Sequence, residues 1–196
     1  MQEKRRTLLS QIGIKQSENK MTFGDWEGVS REKDLSEEFI REFKNDLEWF
    51  SVSKFQKLSE SLIVELKGYV NWLGVSKYQK LSENFIRENV VNVCWEYICI
   101  HQKLSENFLR EFQDRVYWGI ISSQYKLTDE FLIEFKDMVN WEYYFRFQEP
   151  SFYITKKIIS KSDDIRIKNI KTSHFNEIQK QEIEKLLAIK YMFIKN

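Results

Sequence analysis

The sequence predicts an all-α fold: a solenoid of tandem 23-residue helical hairpins with a capping segment at each end. The first observation behind this prediction is that all six tryptophans recur at intervals of 23 residues. The second is that the chain has one proline and six glycines, too few for the frequent turns of an all-β sandwich or barrel. The tryptophans, expected to form the core between repeats, are Trp26, Trp49, Trp72, Trp95, Trp118 and Trp141.

The first helix of each repeat is predicted to begin at a Leu-Ser-Glu motif. This motif starts at Leu35 and returns at Leu58, Leu81, Leu104 and, as Leu-Thr-Asp, at Leu127. The Ser or Thr hydroxyl is a typical helix N-cap, because it accepts a hydrogen bond from a backbone N–H two or three residues later. The leucine before the cap and the Ile or Leu five residues after it have the spacing of a hydrophobic staple. The same helix start is therefore predicted at five positions.

The second helix of each repeat is predicted to span about two turns and to start near the tryptophan. Apolar or aromatic residues follow at every third position, as in Trp49, Val52 and Phe55. Because two short helices cannot bury both faces alone, neighbouring hairpins must stack. A leucine-rich repeat has a similar period, but its L-x-x-L-x-L strand pattern is missing here. The residues predicted to introduce these second helices are Gly68, Asn92, Asp114 and Asp137.

Two polar columns share the 23-residue period. A repeated glutamine is predicted to join adjacent repeats by hydrogen bonds. A repeated glutamate is predicted to form one column along the stack and to pair with Arg41, Arg87, Arg110 or neighbouring lysines. The glutamines are Gln56, Gln79, Gln102 and Gln148, and the glutamates are Glu42, Glu65, Glu88, Glu111 and Glu134.

The pattern divides the chain into three segments. Residues 1–24 are predicted to be an N-terminal cap and residues 25–149 the tandem repeats. Residues 150–196 are predicted to hold a degenerate repeat and a capping helix over 173–191. Two structures remain open for residues 152–170: a helix that starts after Pro150 and Ser151, or a β-hairpin. The helix is favoured, because the alternation of apolar and polar residues is imperfect.

Charge is distributed unevenly along the chain. Residues 21–149 carry 16 Lys and Arg against 23 Asp and Glu, whereas both ends are basic. An acidic array disfavours nucleic acid and favours a protein partner with a basic surface. No apolar run has the length of a signal peptide or of a membrane span, and two cysteines do not make a disulfide framework. The sequence therefore predicts a protein of the cytoplasm that does not enter a membrane.

Nothing in the sequence indicates catalysis. The two histidines, His101 and His174, lie in different repeats, and Cys94 and Cys99 with His101 match no common zinc spacing. Glycine-rich phosphate loops, nucleophile elbows and H-E-x-x-H motifs are all missing. The prediction is a protein that is not an enzyme and that needs no cofactor or metal.

Residues that differ between otherwise regular repeats are the candidates for specific binding. The predicted protein-binding residues are Lys54, Lys77, Tyr97, Tyr143, Tyr144 and Arg146. The alternative function is nucleic-acid binding by the basic C-terminal segment, through Lys156, Lys157, Lys161, Arg166, Lys168 and Lys171.

The units that start at Leu81 and Val70 resemble a known short repeat. Their sequences, L-S-E-N-F-I-R-E and V-N-W-L-G-V-S-K-Y-Q, are similar to the L-S-E-x-F-I-x-x-F and V-x-W-x-x-I-S-x-x-Q repeat of large DNA viruses and bacteriophages. The resemblance covers about residues 24–149, with departures at Asn89, Cys99 and Ser123-Gln124-Tyr125. It brings no catalytic residues with it. It implies a viral or phage protein that binds a host protein, for example a counter-defence inhibitor of the anti-CRISPR type.

Overall fold

Helices make up all the regular structure of the residues described here. The computed structural model describes residues 2–15, 20–32, 34–161, 170 and 172–194, and no strand occurs among them. The predicted all-α class is confirmed. The helices in these ranges are α1 (Gln2–Gln11), α2 (Phe23–Glu32), α3 (Glu37–Glu42), α4 (Trp49–Phe55), α5 (Glu60–Glu65), α6 (Trp72–Tyr78), α7 (Glu83–Glu88), α8 (Trp95–His101), α9 (Glu106–Glu111), α10 (Trp118–Gln124), α11 (Asp129–Glu134), α12 (Trp141–Phe147), α13 (Phe152–Lys161) and α14 (Glu177–Ile194).

The helices fall into two compact units, Met1–Leu104 and Ser105–Asn196. We call α3, α5, α7, α9 and α11 the first helices, and α2, α4, α6, α8, α10 and α12 the second helices. In the first unit α2, α4, α6 and α8 pack in order, each against the next. In the second unit α10 packs against α12, and α13 packs against α11 and α14. Successive helices thus pack in a repeating pattern within each unit, while the boundaries 1–24, 25–149 and 150–196 stay a prediction.

The predicted N-caps of the first helices are confirmed. Ser36, Ser59, Ser82, Ser105 and Thr128 each accept a hydrogen bond from the backbone N–H three residues later. For example, the N–H of Phe39 lies 3.1 Å from the Ser36 hydroxyl oxygen. The staple residues Leu35 and Ile40 are both buried. Each first helix has only six residues, and the chain enters a turn directly after its last residue.

The second helices α4, α6, α8, α10 and α12 begin at the tryptophan, later than the predicted starting residues suggest. Gly68, Asn92, Asp114 and Asp137 lie in the turn between the two helices. The N-cap is instead the residue directly before each tryptophan, which takes an extended conformation. The side chain caps the helix at three of these positions, Glu48, Asn71 and Asn140.

The predicted glutamine column is confirmed in the first unit. Each buried glutamine amide bonds to the backbone of the preceding repeat. For Gln79, Oε1 accepts from the Leu58 N–H at 3.0 Å, and Nε2 donates to the carbonyls of Ser53 and Gln56, both at 2.8 Å. Gln102 makes the same three bonds one repeat later, and Gln56 accepts from the Leu35 N–H and donates to the Ser30 carbonyl one repeat earlier. In the second unit Gln148 donates to the Ser123 carbonyl at 2.6 Å.

A serine register, which the sequence analysis missed, supplies a second bond between repeats. The Ser76 hydroxyl donates to the Trp72 carbonyl at 2.7 Å and accepts from the Cys94 N–H of the next repeat at 2.9 Å. Ser53 accepts in the same way from Asn71, and Ser122 from Asn140. The signal was present in the sequence, since Ser30, Ser53, Ser76 and Ser122 are separated by multiples of 23 residues.

The tryptophans lie between repeats, but only Trp26 is buried in the sense expected of a core residue, at 7% exposure. The other five are half-buried. Their indole Nε1 donates to the carbonyl five residues earlier, at 2.8 Å for Trp49 and 3.3 Å for Trp72. This carbonyl belongs to the solvent-facing turn, so the indole edge must reach the surface. The ring itself packs toward the next repeat, with the Trp72 and Phe85 centroids 6.2 Å apart.

The N-terminal helix α1 packs on the first repeat. Leu8 and Leu9 of this helix are buried. The Arg5 guanidinium lies 4.2 Å from the centroid of the Phe43 ring and donates to the Asp46 carboxylate at 2.7 Å.

The C-terminal segment is helical where it is described. The helix α13 confirms the helical alternative for residues 152–161, with Ser151 as its cap. Residues 162–169, which include most of the predicted second strand of the hairpin, lie outside the described residues. The capping helix begins at Glu177 instead of 173, because Asn176 and Gln179 form a reciprocal capping box. Ile183 is buried. Ile178, which was expected to lie on the apolar face of this helix, is 77% exposed.

Replacing Gln79 with alanine should lower the free energy of unfolding by about 2–4 kcal/mol. The substitution leaves a buried N–H and two buried carbonyls without their partner, at about 1–3 kcal/mol for a fully buried group. Urea unfolding followed by circular dichroism measures the change. Gln124→Ala is the control, because Gln124 is exposed and should change stability by less than about 0.5 kcal/mol. Equal effects of the two substitutions would contradict the role of the column.

Candidate protein-binding surface

Three of the predicted protein-binding residues come together on the second helices of the first unit. Lys54 lies on α4, Lys77 on α6 and Tyr97 on α8. The Lys77 ammonium nitrogen is 5.1 Å from the Tyr78 ring centroid and 5.3 Å from that of Tyr97. One repeat earlier, the Lys54 nitrogen is 4.5 Å from the Phe55 centroid and 5.5 Å from that of Tyr78.

These contacts form a row in which lysines alternate with aromatic rings. The row ends at His101, whose ring centroid is 5.9 Å from that of Tyr97. None of its six side chains is buried. We call this row the lysine–aromatic ladder; it consists of Lys54, Phe55, Lys77, Tyr78, Tyr97 and His101.

The helix geometry explains why the ladder is continuous. Val52, Val75 and Ile98 are fully buried, and this orients the lysines and rings two and three residues later toward solvent. Because α4, α6 and α8 stack in order, equivalent positions of successive repeats become neighbours. At Gly74 an added Cβ would lie 3.0 Å from the Ser53 Cβ, so α4 and α6 approach closely.

Phe55 and Tyr78 were not predicted as surface residues. The three-residue spacing placed them on the same face as the tryptophan, but they are 46% and 40% exposed. Three residues after the buried Val52 or Val75, a helical side chain is turned by about 60° from the buried direction, so Phe55 and Tyr78 lie at the edge of the buried stripe.

A groove adjoins the ladder at Lys54 and Phe55. It has a volume of about 410 Å³ and contains three exposed phenylalanine rings, at 73%, 42% and 46% exposure for Phe23, Phe50 and Phe55. We call it the phenylalanine groove; its remaining lining residues are Glu27, Arg31, Glu48, Ser51 and Lys54.

The other three predicted protein-binding residues lie on α12 in the second unit. Tyr143 is 42% exposed, and its ring centroid is 6.3 Å from that of Phe147 in an edge-on contact. Arg146 is exposed and lies over the Phe147 ring at 5.4 Å. Tyr144 differs, because it is 5% exposed and packs inside the unit. Burial and the nearby Asp129 carboxylate raise the pKa of the Tyr144 hydroxyl to about 12. Tyr144 therefore stabilises the unit and offers no surface to a partner.

The alternative nucleic-acid site is described only in part. Lys156 and Lys157 line a cleft of about 460 Å³ between α13 and α14, together with Phe152 and Tyr153. Lys156 is ion-paired with Glu182, and Lys157 donates to the Tyr153 hydroxyl at 3.1 Å. The side chain of Lys161 and the residues Arg166, Lys168 and Lys171 lie outside the described residues.

The glutamate column pairs with arginines of neighbouring repeats at two positions, as predicted. The Arg41 and Glu65 side chains are 2.7 Å apart, and those of Arg110 and Glu134 are 2.8 Å apart. Glu42 instead pairs with Lys4 of α1. The pairs Arg41–Glu65 and Arg110–Glu134 each join two repeats, whereas Glu42 joins α1 to the first repeat through Lys4 and Arg5.

Two further properties concern metals and membranes. Among the described residues, no three His, Cys, Asp or Glu side chains lie close enough to hold a metal ion. None of the helices in the described ranges has both the length and the apolar character needed to cross a bilayer.

No protein-family model, curated protein or solved structure matches this chain.

Glu48 lines the phenylalanine groove and also caps the N-terminus of α4. Its carboxylate accepts from the backbone N–H groups of Phe50 at 2.9 Å and Ser51 at 2.7 Å, at the start of α4. Burial acts to raise the pKa of Glu48, but the hydrogen bonds from Ser51 and Phe50 outweigh it. They hold the pKa below the ordinary value of 4.5. The charged form of Glu48 is therefore stabilised in the folded state.

Replacing Glu48 with glutamine should lower the free energy of unfolding at pH 7 by about 1 kcal/mol, the usual contribution of a helix cap. Since the folded pKa is lowered, the advantage of glutamate is complete above the ordinary pKa of 4.5 and declines as the pH falls through the folded value. Unfolding measured from pH 7 to pH 3 should show the two proteins converge. The exposed Glu149→Gln is the control. A difference that does not change with pH would contradict this explanation.

Proposed function

We propose that this chain is a helical solenoid without enzymatic activity that binds a protein partner. The lysine–aromatic ladder is the observation that carries the proposal. Its ring position changes from Phe55 to Tyr78 to His101 in successive repeats, whereas the repeated serines, glutamines and arginine-paired glutamates are engaged in bonds between repeats. Such a division, a regular frame with variable exposed side chains, is how repeat proteins generate binding specificity.

The solenoid itself is supported by bonds that recur at one interval. Backbone N–H groups, glutamine amides and serine hydroxyls join residue pairs that are equivalent from one repeat to the next. A hairpin of six- and seven-residue helices is too short to be stable alone, since isolated helices need roughly 12–15 residues. Stacking of neighbouring hairpins supplies the missing stabilisation.

The net negative charge of residues 21–149 indicates what kind of partner the array suits. Glu65, Glu88 and Glu134 are exposed on the first helices. A protein with a basic surface suits this column. The resemblance to viral and phage repeats adds a context, in which the chain acts in the cytoplasm of a host cell and occupies a component of a defence complex, as anti-CRISPR proteins do. No enzymatic step is needed for inhibition of this kind.

Removal of one whole repeat tests the solenoid. Deletion of residues 58–80 joins Lys57 to Leu81 and leaves every cap and glutamine in register. The shortened protein should stay helical and unfold cooperatively, with a melting temperature lower by about 5–10 °C. Circular dichroism during heating measures both properties. Deletion of residues 61–80, which shifts the register by three residues, is the control and should not fold. If both deletions gave the same result, the 23-residue unit would not be the element of this fold.

Capture from a nuclease-treated lysate of host cells tests the binding function. The full-length chain, immobilised through one terminus, should retain one protein in stoichiometric amount. Recovery of no such protein would contradict the proposal.

Nucleic-acid binding through the cleft that contains Lys156 and Lys157 is the second candidate. This function predicts that the chain binds a labelled oligonucleotide with an affinity that falls steeply as the salt concentration rises. The double substitution Lys156→Gln and Lys157→Gln should reduce that affinity. The pairing of Lys156 with Glu182 favours the protein partner, because that lysine already has an anionic neighbour.

A further inference from the structure

The two helix layers of the first unit carry opposite charge. The second helices α4, α6 and α8 with the residues that follow them, 49–57, 72–80 and 95–103, contain five lysines and one glutamate, whereas α2 at the start of this layer contains three acidic residues and one arginine. The first helices with their turns, 35–48, 58–71 and 81–94, contain nine acidic and four basic residues. The net charge of −7 over residues 21–149 therefore hides a basic layer, and the lysine–aromatic ladder lies in it.

The ladder and the phenylalanine groove form one continuous surface. Lys54 and Phe55 belong to both. The ladder presents ammonium groups and the hydroxyls of Tyr78 and Tyr97, all of which can donate hydrogen bonds to carboxylates. The groove presents apolar rings, and aromatic side chains at a concave surface are the usual anchors of protein interfaces.

We propose that this combined surface binds an acidic peptide segment of the partner. Carboxylates of the segment contact Lys54 and Lys77, and one apolar side chain at its end enters the phenylalanine groove. The inference rests on the proposed protein-binding function and names the chemistry of the segment that is recognised.

Charge and ring geometry favour a peptide over nucleic acid. Base stacking needs free aromatic faces. In the ladder the lysine nitrogens lie 4.5–5.5 Å from the ring centroids of Phe55, Tyr78 and Tyr97, and so occupy ring faces. A long polyanion would also meet the acidic residues that border the basic layer, whereas a short acidic segment contacts the ladder alone.

Fluorescence anisotropy with synthetic peptides and the full-length chain tests this inference. The main probe is a fluorescein-labelled 16-residue peptide of alternating Glu, Asp and Gly with one phenylalanine near its end. Three matched probes accompany it: the same peptide with Gln and Asn for the acids, the same peptide with Ser for the phenylalanine, and an oligothymidylate of equal charge. The acidic peptide with phenylalanine should bind most tightly.

Two variants locate the site. Lys54→Gln with Lys77→Gln should weaken binding of the acidic peptide about tenfold or more. Lys67→Gln with Lys136→Gln removes the same charge from exposed turns away from the ladder and should change binding less than about twofold. Phe23→Ser, at a residue that is 73% exposed, should weaken the phenylalanine peptide but not the serine peptide. Circular dichroism and melting curves confirm that each variant is folded.

Several results would overturn the inference. Equal binding of the neutral and acidic peptides, or equal effects of the ladder and turn variants, would remove the role of Lys54 and Lys77. Tighter binding of the oligothymidylate would assign the surface to nucleic acid. If the unchanged protein did not bind the acidic peptide and the ladder variant still captured a host protein, this site would be refuted and the proposed function would stand. Binding of the acidic peptide without capture of any host protein would support the site and count against the proposed function.

Discussion

The buried glutamine amide is the interaction on which this fold depends. The repeats contain a short extended connection between one second helix and the next first helix, and part of the backbone of that connection is not bonded within a helix. Gln79 bonds one N–H and one carbonyl of such a connection, at Leu58 and Gln56, and one carbonyl in the last turn of α4, at Ser53. Since a buried backbone group without a partner is strongly destabilising, Gln56, Gln79 and Gln102 each stabilise one of these connections. The 23-residue spacing brings these glutamines to equivalent backbone atoms, whereas Tyr125 stands at this register in the following repeat.

Features that depend on neighbouring residues could be predicted from the sequence. The Ser36 and Thr128 caps require only a hydroxyl and an N–H three residues later, so a local motif identifies them. The glutamine column could be predicted because a polar side chain at a constant register, among apolar neighbours, must bond to something equally regular. The bond partners themselves could not be named, since a single sequence does not show which backbone atoms face the amide.

Features that depend on rotation about a helix axis were harder to predict. The half-burial of Trp49 and the exposure of Tyr78 both follow from where a seven-residue helix starts. That start is set by an extended residue such as Glu48 or Cys94, of unlike chemistry, and not by a common capping residue. Likewise, Tyr144 and Tyr143 are adjacent and chemically identical, yet one is buried and one exposed. The ladder could therefore be anticipated at Lys54, Lys77 and Tyr97 as a set of variable residues, but not as a continuous row.

The ladder also affects how a ligand would be bound. A lysine on a free surface samples many rotamers, and fixing one on binding is unfavourable by about 0.5–1.5 kcal/mol of side-chain entropy. Lys54 and Lys77 are already held between rings of adjacent helices. Much of their freedom is lost when the chain folds, so less is left to lose when an anion arrives. The aromatic rings of the ladder thus increase the affinity for an anion by holding the lysines in position, as well as by contacting the ligand directly.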